Sequence, residues 1–278
     1  MDWLTETKIP IGKSAKFAFE WLRDNADWFF DGFEIGLGWL IDMVLLILQY
    51  PQPLVIVALF VALTWFLQRS WKPCLMVFAG FLFILNQGYW EETLESLTLV
   101  LFAGITCMAV GVPIGIASAH RPRLYQAMRP VLDLMQTLPT FVYLIPMIVF
   151  FGIGMVPGLV ATVIFVVPAP IRLTHLGVSS TPKPLLEAAE AFGATPRQTL
   201  WKVEMPYALP QIMAGLNQTI MLSLSMVVIA GLVGADGLGV PVVRALSQVN
   251  AALGFESGLV IVVVAIMLDR MLRVERKS

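Results

Sequence analysis

After residue 50 the chain is built of long apolar blocks, and its polar residues gather in the gaps between them. A helix needs about 20 apolar residues to cross about 30 Å of hydrocarbon. On that rule seven blocks read as spans: 54–68, 73–85, 97–119, 131–152, 158–171, 212–233 and 259–272. The second and fifth are short and reach across only with residues from their flanks. Ahead of them, KFAFEWLRDNADWFF places Phe17, Trp21, Ala26 and Trp28 to Phe30 on helical turns interleaved with charge. That is the pattern of a helix lying in the membrane interface, or of one packed on a soluble partner. The expected architecture is an all-α, polytopic integral membrane protein, with an amphipathic helical tail over 1–50 and a transmembrane domain over 51–278.

Residues 33–50 are ambiguous by pattern alone. As an eighth span they would move the N-terminus to the other side and put Asp42 near the bilayer centre, at a cost of about 2.5 to 3.5 kcal/mol. Lying along the surface, they avoid that cost, and this is the preferred reading. Pro113, Pro139, Pro146, Pro168 and Pro170 fall inside the expected spans. Each removes a backbone donor, which a membrane helix tolerates where neighbouring helices or a cavity satisfy the freed groups.

Composition agrees with the pattern: 58% of the 278 residues are hydrophobic and 13% are charged, against about 25% charged in soluble domains. The net charge of −1 offers no basic excess for nucleic acid. Residues 1–14 contain no apolar stretch of signal-peptide type. Cys74 and Cys107 lie in apolar runs and read as reduced packing residues.

Positive residues favour the cytoplasmic side, so their placement sets the orientation. With the tail outside, the cytoplasmic segments collect Arg69, Lys72, Arg121, Arg123, Arg129, Arg172, Lys183, Arg197, Lys202, Arg270, Arg273, Arg276 and Lys277. Lys8, Lys13, Lys16, Arg23 and Arg244 remain outside, and Glu91, Glu92 and Glu95 crowd one external loop.

The longest polar stretch between spans, SSTPKPLLEAAEAFGATPRQTLWKVEMP at 179–206, falls on the cytoplasmic side. It reads as two short helices. Ser180 and Thr181 are capping types, Gly193 suits a left-handed helix end, Thr195 and Pro196 restart a helix, and Pro206 ends it. Ala188, Ala189 and Ala191 keep one face thin enough to enter a groove, and Lys183, Glu187, Glu190 and Arg197 can meet charges at its rim.

The spacing Glu187, Ala188, Ala189, three residues, Gly193, nine residues, Val203, one residue, Met205, Pro206 resembles the EAA motif of ABC importer permeases. Val203 and Met205 stand where that pattern has isoleucine and leucine. The resemblance implies that Lys183, Glu187, Ala188, Ala189, Gly193, Arg197 and Pro206 belong to a coupling loop docked on a separate ATPase. The stretches QTLPTFVYLIPMIVFFGIGMVPGLVATVIFVVPAPIRLT (136–174) and GLVGADGLG (231–239) are further similar to permeases for quaternary amines: glycine betaine, proline betaine or choline. This second resemblance covers roughly 50–272. It implies a bacterial inner-membrane subunit fed by a periplasmic binding protein, with two permease copies, identical or different, between two ATPases. Gln136, Thr137, Thr140 and Tyr143, beside Pro139 and Pro146, are the expected path-lining residues.

No site for chemistry is expected in the chain itself. Gly12, Lys13 and Ser14 are the nearest approach to a phosphate loop, but Thr7 stands where the earlier glycine belongs, so ATP and Mg are assigned to the partner and no cofactor, catalytic residue or metal to this chain. Asp133, Asp269, Arg172 and His175 sit near span ends, where interfacial anchoring explains them better than ion coupling. His120 and His175 read as loop residues without companions. The tryptophans, Trp3, Trp21, Trp28, Trp39, Trp65, Trp71, Trp90 and Trp201, suit interface anchoring.

Overall fold

The computed structural model describes residues 10–272, and every regular element among them is helical. Trp3, Thr7, Lys8, Arg273, Arg276 and Lys277 lie outside the described residues. In chain order the helices are α1 (Ile11–Gln49), α2 (Pro53–Gln68), α3 (Trp71–Gln87), α4 (Trp90–Ala119), α5 (Pro122–Thr137) and α6 (Thr140–Phe151). They continue as α7 (Met155–Val166), α8 (Pro168–Ser179), α9 (Lys183–Ala191), α10 (Pro196–Thr199), a π turn (Leu200–Glu204), α11 (Met205–Gly231), α12 (Gly239–Ser247) and α13 (Ala251–Leu272).

Each expected span coincides with helix, but not each with an unbroken crossing. Among the described residues four stretches are long and apolar enough alone: Trp90–Ala119, Met155–Ser179, Pro196–Gly231 and Ala251–Leu272. The count rises to six if each of two bent pairs is one span, α1 with α2 at 101° and α5 with α6 at 94°. Helix α3 is apolar but only 17 residues long, so it is where the expectation of seven exceeds what length supports. The block 131–152 is divided by an elbow. Pro139 forces Leu138 into an extended conformation (ψ 136°), and the helical ladder restarts at Thr140.

Helices α4, α8 and α11 pack together at the centre. Small residues permit the approach: a Cβ on Gly111 would stand 2.8 Å from Pro170 Cγ, and one on Gly115 2.6 Å from Thr174 Cβ. In a lipid environment such close backbone contact supplies van der Waals attraction that the hydrophobic effect does not. Four of the hydroxyls buried in this core are satisfied locally, while those of Thr174 and Ser223 have no partner among the described residues. Thr93, Thr98, Thr162 and Thr219 each donate to the carbonyl four residues earlier, at 2.6, 2.8, 2.7 and 2.8 Å, so none of the four needs water.

Helix α1 breaks at Ala26 (φ −129°, ψ 20°). Beyond the break, Leu37, Ile41, Leu45 and Leu48 recur at helical spacing, and all join the main core, with Ile41 only 1% exposed. Phe30 stacks on Phe150, ring centroids 4.6 Å apart. Asp42 stays exposed. The packed face of this segment is therefore larger than its surface-lying reading implies, because one apolar stripe matches α4, α6 and α7. Gly12, Lys13 and Ser14 form the first turn of α1, a helical conformation unlike a phosphate-cradling loop after a strand. Cys74 and Cys107 are buried free thiols.

Candidate functional site

Helix α9 has no buried residue. Lys183, Glu187 and Ala188 are exposed, and Ala189 is half-buried. The helix ends because Gly193 takes φ 72°, with Gly193 N–H donating to Glu190 O at 2.8 Å and Ala194 N–H to Ala189 O at 3.0 Å. These two bonds make a Schellman turn, in which glycine avoids the left-handed Cβ penalty. Helix α10 then starts with a reciprocal cap: Gln198 N–H donates to Thr195 Oγ1 at 3.4 Å, and Thr195 N–H to Gln198 Oε1 at 2.8 Å. Arg197 is exposed on this short helix.

Two details differ from the sequence reading. Ser180 does not cap α9; its hydroxyl donates back to Gly177 O at 3.0 Å, finishing α8, while Pro182 precedes α9 without a side-chain cap. Thr181 is buried and its hydroxyl has no partner among the described residues. Pro206 does not end a helix but opens α11. Its ring is tolerated because proline needs no donor at a helix start, and the wide π turn precedes it.

Sequence reasoning also passed over Phe192. It caps α9 with 92% of its surface exposed, and Leu185 and Trp201 are exposed on the same loop. Large bare apolar groups among charges are the composition of a protein-docking surface. The visible signal was an aromatic residue next to the loop's only glycine.

A second constellation lies at the elbow. Arg172 on α8 donates from Nη2 to Asp133 Oδ1 at 2.7 Å and from Nη1 to Gln136 Oε1 at 2.8 Å. Two residues assigned to anchoring, Arg172 and Asp133, and one assigned to the path, Gln136, thus form one planar fork contact across α5 and α8. Thr137, exposed, donates to Asp133 O at 2.9 Å. Tyr143, buried, reaches back across the bend and donates to Met135 O at 2.6 Å. Thr140 begins α6, half-buried.

Neither histidine is without companions. His175 belongs to α8, stacks on Tyr125 with centroids 3.6 Å apart, and lies 3.2 Å from Ser118 Oγ. His120, at the C-terminal end of α4, lies 2.9 Å from Glu204 Oε2. Both were misread because their partners are distant in sequence.

The two ends of α4 define opposite sides of the molecule. Its C-terminal end meets the π turn of the loop at 179–206, where His120 faces Glu204. Its N-terminal end holds Ser96, which accepts from Leu238 N–H at 2.8 Å and so fixes the GLVGADGLG stretch. The acids expected in an external loop stand on the first turns of α4 instead. Glu92 and Glu95 line a cavity of about 190 Å³ with Asp236 and Arg244.

Comparison with known proteins gives this geometry a context. Residues 111–273 match the family described as the binding-protein-dependent transport system inner membrane component. The chain belongs to that family. This permease is 44% identical over 274 residues to the glycine betaine transport system permease protein OpuAB of Bacillus subtilis (strain 168), covering 98% of this chain and 97% of the relative. It is 46% identical over 242 residues to the glycine betaine/carnitine transport permease protein GbuB of Listeria monocytogenes serotype 1/2a (strain 10403S), covering 86% and 84%. Among solved structures it resembles a chain of the inward-facing MetNI methionine ABC transporter, at a TM-score of 0.58 and 25% identity, covering 64% of this chain and 92% of that one. The permease is thus a multi-pass protein of the bacterial inner membrane, a transport subunit that works with ATPase and substrate-binding partners.

Proposed function

We propose that this permease carries a quaternary ammonium compound, glycine betaine, proline betaine or choline, inward across the membrane, driven by ATP bound with Mg on a separate subunit. The observation that carries the reading is the bare helix α9, which none of this chain's own core covers, held at a set angle to α10 by the Gly193 turn. A helix whose main contacts are with its own loop, and whose end is rigid, takes force from outside only if another protein sits on it. The similarity to permeases named for glycine betaine supports the cargo class.

Two identical copies would present two such loops to two ATPases. The loop at 179–206 would face the cytoplasm, where the positive residues gather, and the acidic end of α4 would face the binding protein. Gln136, Thr137, Thr140 and Tyr143 would line the path at the elbow, which the fork contact of Arg172 holds in one setting. The exposed Trp21, Trp28 and Trp39 of α1 would anchor it at the lipid interface.

The test is uptake of radiolabelled glycine betaine, proline betaine and choline by proteoliposomes holding permease, ATPase and binding protein. Saturable uptake of at least one, requiring ATP and unaffected by a protonophore, is expected. Failure with all three while another solute is transported overturns the cargo class. Glu187→Lys or Gly193→Asp should abolish uptake and leave membrane insertion intact; normal uptake by both overturns the docking assignment.

A further inference from the structure

We propose that Glu204 and His120 are positioning residues that carry movement of the docking loop into the membrane core, a reading that rests on the docking assignment above. Helices α9 and α10 pack on each other and on the π turn, so movement of the loop leaves it through the short link to α8 and through Leu200–Glu204. From there one route is covalent, into α11. The other is Glu204, only 7% exposed, whose carboxylate meets His120 Nε2 at 2.9 and 3.1 Å.

His120 is well placed to receive a push. It is the C-cap of α4 and stands two residues before α5, the helix that leads to the elbow and to Asp133 and Gln136. Its ring is held on both sides: Nδ1 lies 3.1 Å from Ile116 O while Nε2 faces the carboxylate. Both neighbours are acceptors, so either ring nitrogen can donate to the group it faces. A charge-assisted bond to a buried carboxylate resists being pulled apart more than a neutral one does. Glu204 lies in a π turn, a place where helices bend. The result is a flexible joint with one stiff strut, and the strut joins the loop to α4 and α5.

The experiment uses the full complex of permease, ATPase and binding protein in proteoliposomes, and reads solute taken up per ATP hydrolysed, per assembled complex. His120→Ala and Glu204→Ala should assemble with the ATPase and hydrolyse ATP, with uptake per ATP lowered about tenfold, the scale of one lost hydrogen bond to a charged group. The double variant should fall no further than either single one. Glu204→Gln, which keeps an acceptor oxygen, should lose less than Glu204→Ala. Unchanged uptake per ATP in the single variants, or losses that multiply in the double, would overturn the strut. So would failure of both Glu204 variants to assemble, since Glu204 would then serve docking or folding itself. Glu187→Lys and Gly193→Asp run beside them separate the two ideas: if both assemble and transport normally, the docking assignment is what fails.

Discussion

Arg172 and Asp133 are 39 residues apart in sequence and 2.7 Å apart in space, joining α8 to the last turn but one of α5. The arginine shares its fork between this carboxylate and the amide of Gln136, so the contact holds the elbow helix by two points rather than one. Asp133 is half exposed, at 55%, and screening keeps the pair's contribution to folding at about 1 kcal/mol or less. Arg172→Lys cannot reproduce the fork. It should leave the melting temperature of the detergent-solubilised permease within a few degrees of the parent while lowering uptake severalfold. Transport assays beside thermal unfolding check both halves.

The other tether on the elbow is neutral. Tyr143→Phe deletes the hydroxyl that donates to Met135 O and keeps the buried ring. A cost of about 0.5 to 1.5 kcal/mol is expected, read as a small fall in the thermal midpoint.

Close packing of α4 on α8 makes a sharper test. Gly115→Val would put side-chain atoms into Thr174 and the Ile171 carbonyl, and overpacking of this kind costs about 1 to 3 kcal/mol or more. Gly104 lies on the same helix with open space around its Cβ position, so Gly104→Ala should be neutral or slightly stabilising. Fluorescence-detected size exclusion after a heating series would rank the two variants.

Phe192→Ala removes a ring that touches solvent over nearly all its surface, so the permease alone should fold and insert as before. If the ring fills a pocket on the ATPase, association should weaken by about 2 kcal/mol, roughly thirtyfold. Titration of purified ATPase against the permease in nanodiscs measures this directly.

Cys74 and Cys107 are both buried, one on α3 and one on α4. In intact membranes a maleimide should label each slowly, and denaturation in SDS should expose both at once. Rapid labelling of either in the native protein would contradict the packing of that helix.

Much of the architecture was legible in the chain because lipid imposes a length and a polarity on every segment that crosses it. The apolar blocks, the loop at 179–206 with its Gly193 turn, and the Thr195 cap all follow from local rules, where a residue acts on neighbours within one helical turn. Local rules do not reach across the fold. Nothing near Arg172 in the sequence announces Asp133, and nothing near His120 announces Glu204, because those contacts exist only once α4, α5, α8 and α11 have packed. For the same reason the 94° elbow was hidden inside what reads as one apolar run, and Pro206 passed for a stop signal when a π turn makes it a beginning. Sequence determined which segments are helical and which loop is bare. Tertiary packing decided which polar side chains meet, since a group removed from water takes whatever partner the neighbouring helix presents.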